Sequence, residues 1–223
     1  MNYLILVLTV LASYGLVLLT KPRKQTNIKL LLAFSGAFLL ALTFFELVPE
    51  VYSKGNPKTN TLFILIGVLL QLFLEFFSKG AEHGHMHWQL DKNQFPTILF
   101  ISLSLHALIE GIPISGENGI LYGILVHKIP VAIILSMFLV NSKLNRGLTI
   151  IFILLFALMT PLGSYLASET TFISTYKTQM VALVVGVFLH ISTVILFESA
   201  KGHSFDLKKL IVVILGFGIA YFL

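Results

Sequence analysis

Three ionisable side chains inside apolar segments are the residues of this chain best suited to chemistry. His106 and Glu110 are four positions apart, and His127 lies in the next apolar segment. Residues at this spacing share one face of a helix, so His106 and Glu110 are expected to point the same way. Two imidazoles and one carboxylate suit a borderline divalent ion such as zinc or iron, so the three residues predict a metal site.

The composition predicts a polytopic membrane protein. Of the 223 residues, 57% are hydrophobic and 11% are charged, and the mean hydropathy is +0.93. A soluble domain usually has about a quarter of its residues charged. Ionisable residues inside lipid are rare and usually face a cavity or a pathway, so the three residues point to function. The chain has no cysteine, which excludes disulfides and thiolate metal ligands within it.

The apolar segments have the length of membrane-spanning helices, which need about 17–25 mostly apolar residues. We predict an all-α membrane protein with eight spans, at about 2–20, 28–50, 60–78, 96–114, 119–140, 147–167, 178–198 and 207–223. The first is interpreted as a retained span, because it lacks the basic start of a signal peptide. The whole chain, 1–223, is predicted to be a single transmembrane domain with a histidine-bearing loop at 79–95, which is expected to lie in the cytoplasm.

The distribution of basic residues predicts the orientation. Of the 15 Lys and Arg, eleven lie in or beside the loops that follow odd-numbered spans, three lie in the loops that follow even-numbered spans, and Lys128 lies deep within a span. Basic residues favour the cytoplasmic side, so both termini are expected to lie outside. The net charge of +5 mostly reflects this bias, so it does not indicate nucleic-acid binding.

A weak internal similarity indicates an inverted repeat. Residues 36–43 and 186–193 share Gly, Phe, Leu and Thr at matching positions. They lie in spans two and seven, which cross in opposite directions. This predicts that spans 1–3 are related to spans 6–8 around spans 4–5, and transporters often bind substrate at such an interface. Chance is the alternative, because these residues are common in membrane helices.

The two histidines are predicted to lie at the same depth. His106 is nine residues before Ser115 and His127 is eight residues after Gly119, which places both roughly 12–14 Å below the outer surface. Antiparallel neighbouring spans can therefore bring both rings to one ion. The alternative is that each ring bonds to a neighbouring helix.

Prolines and a glycine give these segments an unusual backbone. Pro113 and Pro130 cannot donate to the carbonyls of Ile109 and Val126. Carbonyls freed at this depth must face protein, water or an ion. Gly111 permits the close approach of another helix. Ordinary helix kinks are the alternative.

Lys128 is a lysine near the centre of the membrane. Such a side chain must pair with an acid or lose its proton. Glu110 is the expected partner, and the alternative is that the side chain extends to the lipid surface.

With these residues the chain resembles the ZIP (Zrt/Irt-like) metal transporter family, along all eight spans. The motifs that carry the resemblance are His106-x-x-x-Glu110-Gly, His127-x-x-Pro130, Gly36-Ala-Phe-Leu, Glu46-Leu-Val-Pro49-Glu50, Thr160-Pro161-Leu-Gly163, Gly186-Val-Phe-Leu and the histidine-bearing loop. The resemblance implies a ZIP-like eight-helix bundle, outside termini, often a homodimer, and location in the plasma membrane. It also implies movement of zinc, iron or similar ions, such as cadmium or manganese, into the cytoplasm. The metal is then the transported substrate, and no cofactor is expected.

The chain departs from the family pattern at five positions that resemble ligands of a second metal in some members. The residues at these positions are Ala107, Lys128, Val131, Ala132 and Thr160. We therefore predict a single-metal site, with the Lys128 ammonium where a second cation would be.

Other ionisable residues are candidates for a pathway through the membrane. Glu46 is near the outer end of span two, and His190 and Glu198 are in span seven. The loop residues His83, His85 and His87 could bind zinc weakly as a sensor or an exit buffer. The alternatives are helix-end carboxylates, a helix–helix hydrogen bond at His190 and solvated loop histidines.

Two other classes of function compete with metal transport, for which no enzymatic activity is expected. A membrane-embedded metal-dependent hydrolase would use the same His/Glu set to activate a water, but the chain has no H-E-x-x-H motif and no P-loop. A structural subunit would not account for His, Glu and Lys within the membrane.

Deleting residues 82–88 tests the role of the histidine-bearing loop. Because the intramembrane ligands remain, we expect metal uptake to persist with an altered apparent affinity, measured as the concentration dependence of uptake in cells. A complete loss of uptake in a normally expressed deletion variant would contradict a regulatory loop.

Overall fold

The computed structural model describes residues 2–20, 25–80, 90, 92–114, 119–198 and 207–223, with the backbone alone at 2, 25–27 and 198. The helices are α1 (Asn2–Thr20), α2 (Gln25–Leu42), α3 (Val48–Ser53), α4 (Pro57–Ser78), α5 (Thr97–Gly111), α6 (Ile120–Asn141), α7 (Arg146–Glu169), α8 (Thr171–Thr175), α9 (Lys177–Glu198) and α10 (Leu207–Tyr221). The described residues contain no strand, and seven of their helical segments are long and apolar enough to cross a membrane. This confirms the predicted all-α membrane fold.

The last predicted span forms the helix α10. Its 15 residues are fewer than the roughly 17–25 that a span needs, so the count of eight spans stays a prediction. The second predicted span is longer than expected. It runs from Ile28 to Ser53 as one apolar segment, because a π-helical turn at Thr43–Leu47 joins α2 to α3.

Local sequence signals explain where α4 begins and ends. The Asn56 side chain accepts hydrogen bonds from the backbone N–H groups of Lys58 and Thr59, and Pro57 takes the first helical position. These caps satisfy donors that have no partner within the helix. The helix ends at Lys79, which has a left-handed backbone with φ of 53°.

α4 is more apolar on its outside than on its inside, as expected of a helix in lipid. Its exposed side chains include Leu62, Leu65, Leu69, Phe73 and Phe76. Its buried positions are Asn60, Gly67, Gln71, Leu74 and Ser78. Because lipid solvates apolar groups, the polar and small residues of this helix pack against other helices.

The long helices form two groups of four. In the first, α5 packs on α7, α1 packs on α6 and on α7, and a core of Val10, Leu103, Leu135, Phe152 and Phe156 lies between them. In the second, α4 packs on α9, α10 packs on α2, and α2 packs on α9. The two groups meet where α2 contacts α6 and where α4 contacts α5.

These helix pairs have the symmetry that the inverted repeat requires. Exchanging spans 1–3 with 6–8, and span 4 with span 5, converts the α4–α9 pair into the α10–α2 pair. The same exchange converts the α5–α7 pair into the α6–α1 pair. The repeat remains a prediction, since the matching sequence is short.

Glycines allow the closest helix pairs to form. A Cβ atom on Gly186 of α9 would overlap the backbone carbonyl oxygen of Ile64 on α4, and one on Gly67 would overlap that of Leu183. Between α5 and α7, a Cβ on Gly111 would overlap the carbonyl oxygen of Thr160. The close approach expected at Gly111 is therefore confirmed.

Gly186→Ala tests the tight α4–α9 packing. The added methyl group meets backbone atoms that cannot rotate away, so we expect a loss of about 1–3 kcal/mol of stability, measured as thermal unfolding in detergent. The matched control is Gly218→Ala on α10, where nothing lies within 4 Å of the added atom. Since alanine favours helix over glycine, the control variant should be no less stable than the wild type. Equal stability of both variants would show that the two helices are not in tight contact.

Candidate metal site

The structure brings His106, Glu110 and His127 together inside the helix bundle. One ligand atom from each lies within 4.8 Å of the other two. The three residues are 1–2% exposed. His106 and Glu110 are on α5 and His127 is on α6, with the two imidazole ring centroids 6.4 Å apart. This proximity makes the three residues the candidate ligands of one ion.

The end of α5 differs from the expectation based on Pro113. The carbonyl of Ile109, which was expected to be free, accepts a hydrogen bond from the backbone N–H of Ile112. A 3₁₀ turn at Ile112–Ile114 follows, and its i→i+3 bonding provides this donor. That carbonyl is therefore satisfied by the backbone.

Lys128 and Glu110 form a buried ion pair. The Lys128 Nζ atom donates to Glu110 Oε2 at 2.5 Å, and the two side chains are 3% and 1% exposed. The ammonium also lies 5.4 Å from the centroid of the Phe156 ring, within the range of a cation–π interaction. The pairing expected from the sequence is present, and the side chain does not extend to the lipid surface.

Glu110 has two oxygens in different environments. Oε2 accepts from Lys128, whereas Oε1 is buried and has no hydrogen-bond partner among the residues that the structure describes. An ionised oxygen buried without a partner is costly. Oε1 is therefore the oxygen of this carboxylate that still lacks a hydrogen-bonding partner among the described residues.

The side chains at the departing positions are buried and carry no charge apart from Lys128. Ala107, Ala132 and Thr160 are 0% exposed and Val131 is 5% exposed. Alanine and valine side chains cannot bind a metal, and the hydroxyl of Thr160 is neutral. These residues add no charge that could hold a second divalent ion.

Gln71 contacts the site and was not singled out in the sequence. His106 Nδ1 lies 3.1 Å from the Gln71 amide oxygen, which joins α5 to α4. Gln71 is 0% exposed. A lone amide side chain between Leu70 and Leu72, within an apolar span, was the signal in the sequence. Such side chains commonly form hydrogen bonds between membrane helices.

Glu46 lies apart from the three residues, at the beginning of α6. It is part of the π-helical turn at Thr43–Leu47, and its carboxylate accepts a hydrogen bond from the backbone N–H of Gly119. A carboxylate at this position interacts favourably with the positive end of the helix dipole. From Gly119 to His127, α6 rises by about 12 Å.

His190 pairs with an acidic residue on another helix. Its Nε2 lies 2.6 Å from Glu75 Oε2, which connects α9 to α4. Glu75 follows Gln71 by four residues, so the two share one face of α4. The side chain of Glu198, and all of His83, His85 and His87, lie outside the described residues.

Two histidines and one carboxylate are a donor set that open zinc sites use. Two histidine nitrogens and one carboxylate oxygen leave at least one position of a tetrahedral ion for water or another ligand. The structure alone allows such an ion to be bound in transit or to activate a water.

Known proteins resemble this chain over the same region. The family described as ZIP Zinc transporter matches residues 93–223, which is more than half of the chain and includes all three candidate ligands. "Zinc transporter ZIP1" of Danio rerio is 28% identical over 121 residues, which are 52% of this chain and 35% of that protein. "Zinc transporter ZIP1" of Takifugu rubripes is 29% identical over 157 residues, which are 63% of this chain and 50% of that protein. The chain spans half or less of the length of each of these relatives.

A double-mutant cycle tests the buried ion pair in the absence of metal. Lys128→Met and Glu110→Gln each leave one charge buried alone, so we expect each to lose about 3–5 kcal/mol of stability, whereas the double variant should recover most of it. Thermal unfolding in detergent with a chelator measures the three variants.

The exposed pair of Lys54 with Glu50, at 3.2 Å, provides the matched control. Lys54→Met should change stability by about 0–1 kcal/mol. Additive losses at Lys128 and Glu110 would contradict a direct ion pair.

Proposed function

The chain belongs to the ZIP zinc transporter family, and on that premise we propose that it carries a divalent metal ion through the membrane into the cytoplasm. The proposed transit site is formed by His106, Glu110 and His127. The observation that carries the proposal is the convergence of three metal-ligand atoms within 4.8 Å, from two helices, at a buried position. Ionisable residues at such positions commonly mark ion pathways.

The charge of the site favours passage over permanent binding. Glu110 shares its negative charge with Lys128, which is 2.5 Å away. A divalent ion bound by Glu110 and two neutral imidazoles would therefore have less than one full negative charge to offset its own charge. Because transport requires an ion to leave as well as to bind, a moderate affinity and an open coordination position suit transit.

The same pair is our reason for proposing one metal ion in each chain. The Lys128 ammonium takes the place of a second cation beside Glu110. Its charge repels another divalent ion, and the neighbouring Ala107, Val131 and Thr160 offer no compensating charge.

We propose a pathway from Glu46 at the outer end of α6, through the transit site, to His190. Gln71 and Glu75 are one turn apart on α4 and contact His106 and His190 respectively. This places polar groups about 6 Å apart along one helix. Glu198 and the loop histidines His83, His85 and His87 are proposed as the last cytoplasmic contacts.

The direction and the location of the protein are also proposals. The excess of basic residues in odd-numbered loops supports cytoplasmic placement of those loops and outside placement of both termini. The plasma membrane and a homodimer follow from the family resemblance. The surrounding partner is the lipid bilayer, which the exposed apolar side chains fit.

Zinc is the proposed substrate, with iron(II), cadmium and manganese as alternatives. Both relatives are named as zinc transporters. A His₂Glu set binds several divalent metals, and the order of affinities does not settle which one is carried. A hydrolase would use the same ligands, but membership of a transporter family favours transport.

Uptake by proteoliposomes tests the proposed function. Wild-type protein should transfer Zn²⁺ to a dye enclosed in the liposomes, and His106→Ala should reduce uptake to the level of protein-free liposomes because a ligand is lost. Leu105→Ala is the matched control, since Leu105 neighbours His106 but is 45% exposed on the lipid side. Uptake by His106→Ala equal to wild type would overturn the site, and turnover of peptide or lipid without uptake would favour the hydrolase.

A further inference from the structure

We propose that Gln71 is a positioning residue, which fixes the tautomer and the ring orientation of His106 so that Nε2 binds the transported metal. The inference rests on the proposed function, because it assigns a role to a residue next to the transit site. Gln71 is on α4, whereas the proposed ligands are on α5 and α6.

The hydrogen bond between the two residues determines which nitrogen of His106 carries the proton. The Gln71 Oε1 atom lies 3.1 Å from His106 Nδ1. An amide oxygen can only accept, so Nδ1 must be the donor. In the neutral imidazole, Nε2 then has the lone pair that a metal needs.

The burial of both residues allows this hydrogen bond to hold the His106 ring in one orientation. Gln71 is 0% and His106 is 2% exposed, so water does not compete freely for the bond. Metal-binding histidines usually donate their second N–H to such a partner, which fixes the ring and raises its basicity. Gln71 has the chemistry and the position of that partner.

A neutral partner suits a site that must release its ion. A carboxylate would polarise the imidazole more strongly than an amide does, because hydrogen bonds to charged groups are stronger. Gln71 therefore orients His106 without making the bond between His106 and the metal tighter than transport allows. We expect Gln71→Glu to bind Zn²⁺ at least as tightly as wild type and to transport it more slowly at saturation.

The bond also joins the two helix groups at their contact. Nearby, Ser102 on α5 donates to the backbone carbonyl of Leu74 on α4. Ser102 precedes His106 by four residues on the same helix. This second bond links the same helices without touching a candidate ligand, so Ser102→Ala separates metal positioning from helix packing.

The test compares Zn²⁺ affinity and the visible absorption of bound Co²⁺ in purified wild type, Gln71→Met, Gln71→Glu and Ser102→Ala. Loss of an outer partner typically lowers metal affinity about 10–100-fold. We expect this loss, with a changed Co²⁺ spectrum, in Gln71→Met. Gln71→Glu keeps an oxygen acceptor and should retain the affinity, and Ser102→Ala should match wild type in both measurements.

Three results would overturn the proposal. These are wild-type affinity in Gln71→Met, an equal loss in Gln71→Glu, and an equal loss in Ser102→Ala, which would mean that helix packing is responsible. His106→Ala distinguishes this failure from that of the proposed function. If His106→Ala binds Zn²⁺ as tightly as wild type, the proposed transit site is wrong, and so is the proposed role of Gln71.

Discussion

The ion pair between Lys128 and Glu110 is the interaction on which the rest of the site depends. Removing an ion from water costs several kcal/mol even after relaxation, and the cost is recovered only when a partner of opposite charge is close. At 2.5 Å and almost fully buried, each of these two charges offsets the cost of burying the other. The pair ties α5 to α6, the two helices that carry the proposed ligands, and it leaves the second oxygen of Glu110, Oε1, buried without a hydrogen-bond partner among the described residues.

The backbone around the pair allows this arrangement. Gly111 lets α7 approach the end of α5, and the 3₁₀ turn after it satisfies the carbonyl of Ile109. Gln71 reaches His106 from the second group of helices. If Gln71 has the proposed role, a change in the relative position of the two helix groups would alter metal affinity, because a histidine released by its outer partner is a weaker ligand.

Much of this was predictable from the sequence because it depends on local spacing. Hydropathy predicted the helices, the spacing of His106 and Glu110 placed them on one face, and the burial of Lys128 required an acid nearby. The contacts of Gln71 with His106 and of Glu75 with His190 span 35 and 115 residues. Many side chains lie within such distances along the chain, so only the packing of α4 against α5 and α9 shows which of them meet. The turn after α5 was missed for a related reason, since a proline removes one donor but does not determine which other donor replaces it.

If Lys128 replaces a second cation, as we propose, the buried site holds one metal ion. The direct measurement is the number of zinc ions bound to each purified chain at saturation, by elemental analysis after removal of free metal. His83, His85 and His87 should be changed to alanine first, so that loop binding does not contribute. We expect one ion per chain, and none after His106→Ala is added. Two ions per chain, or one ion retained without His106, would contradict it.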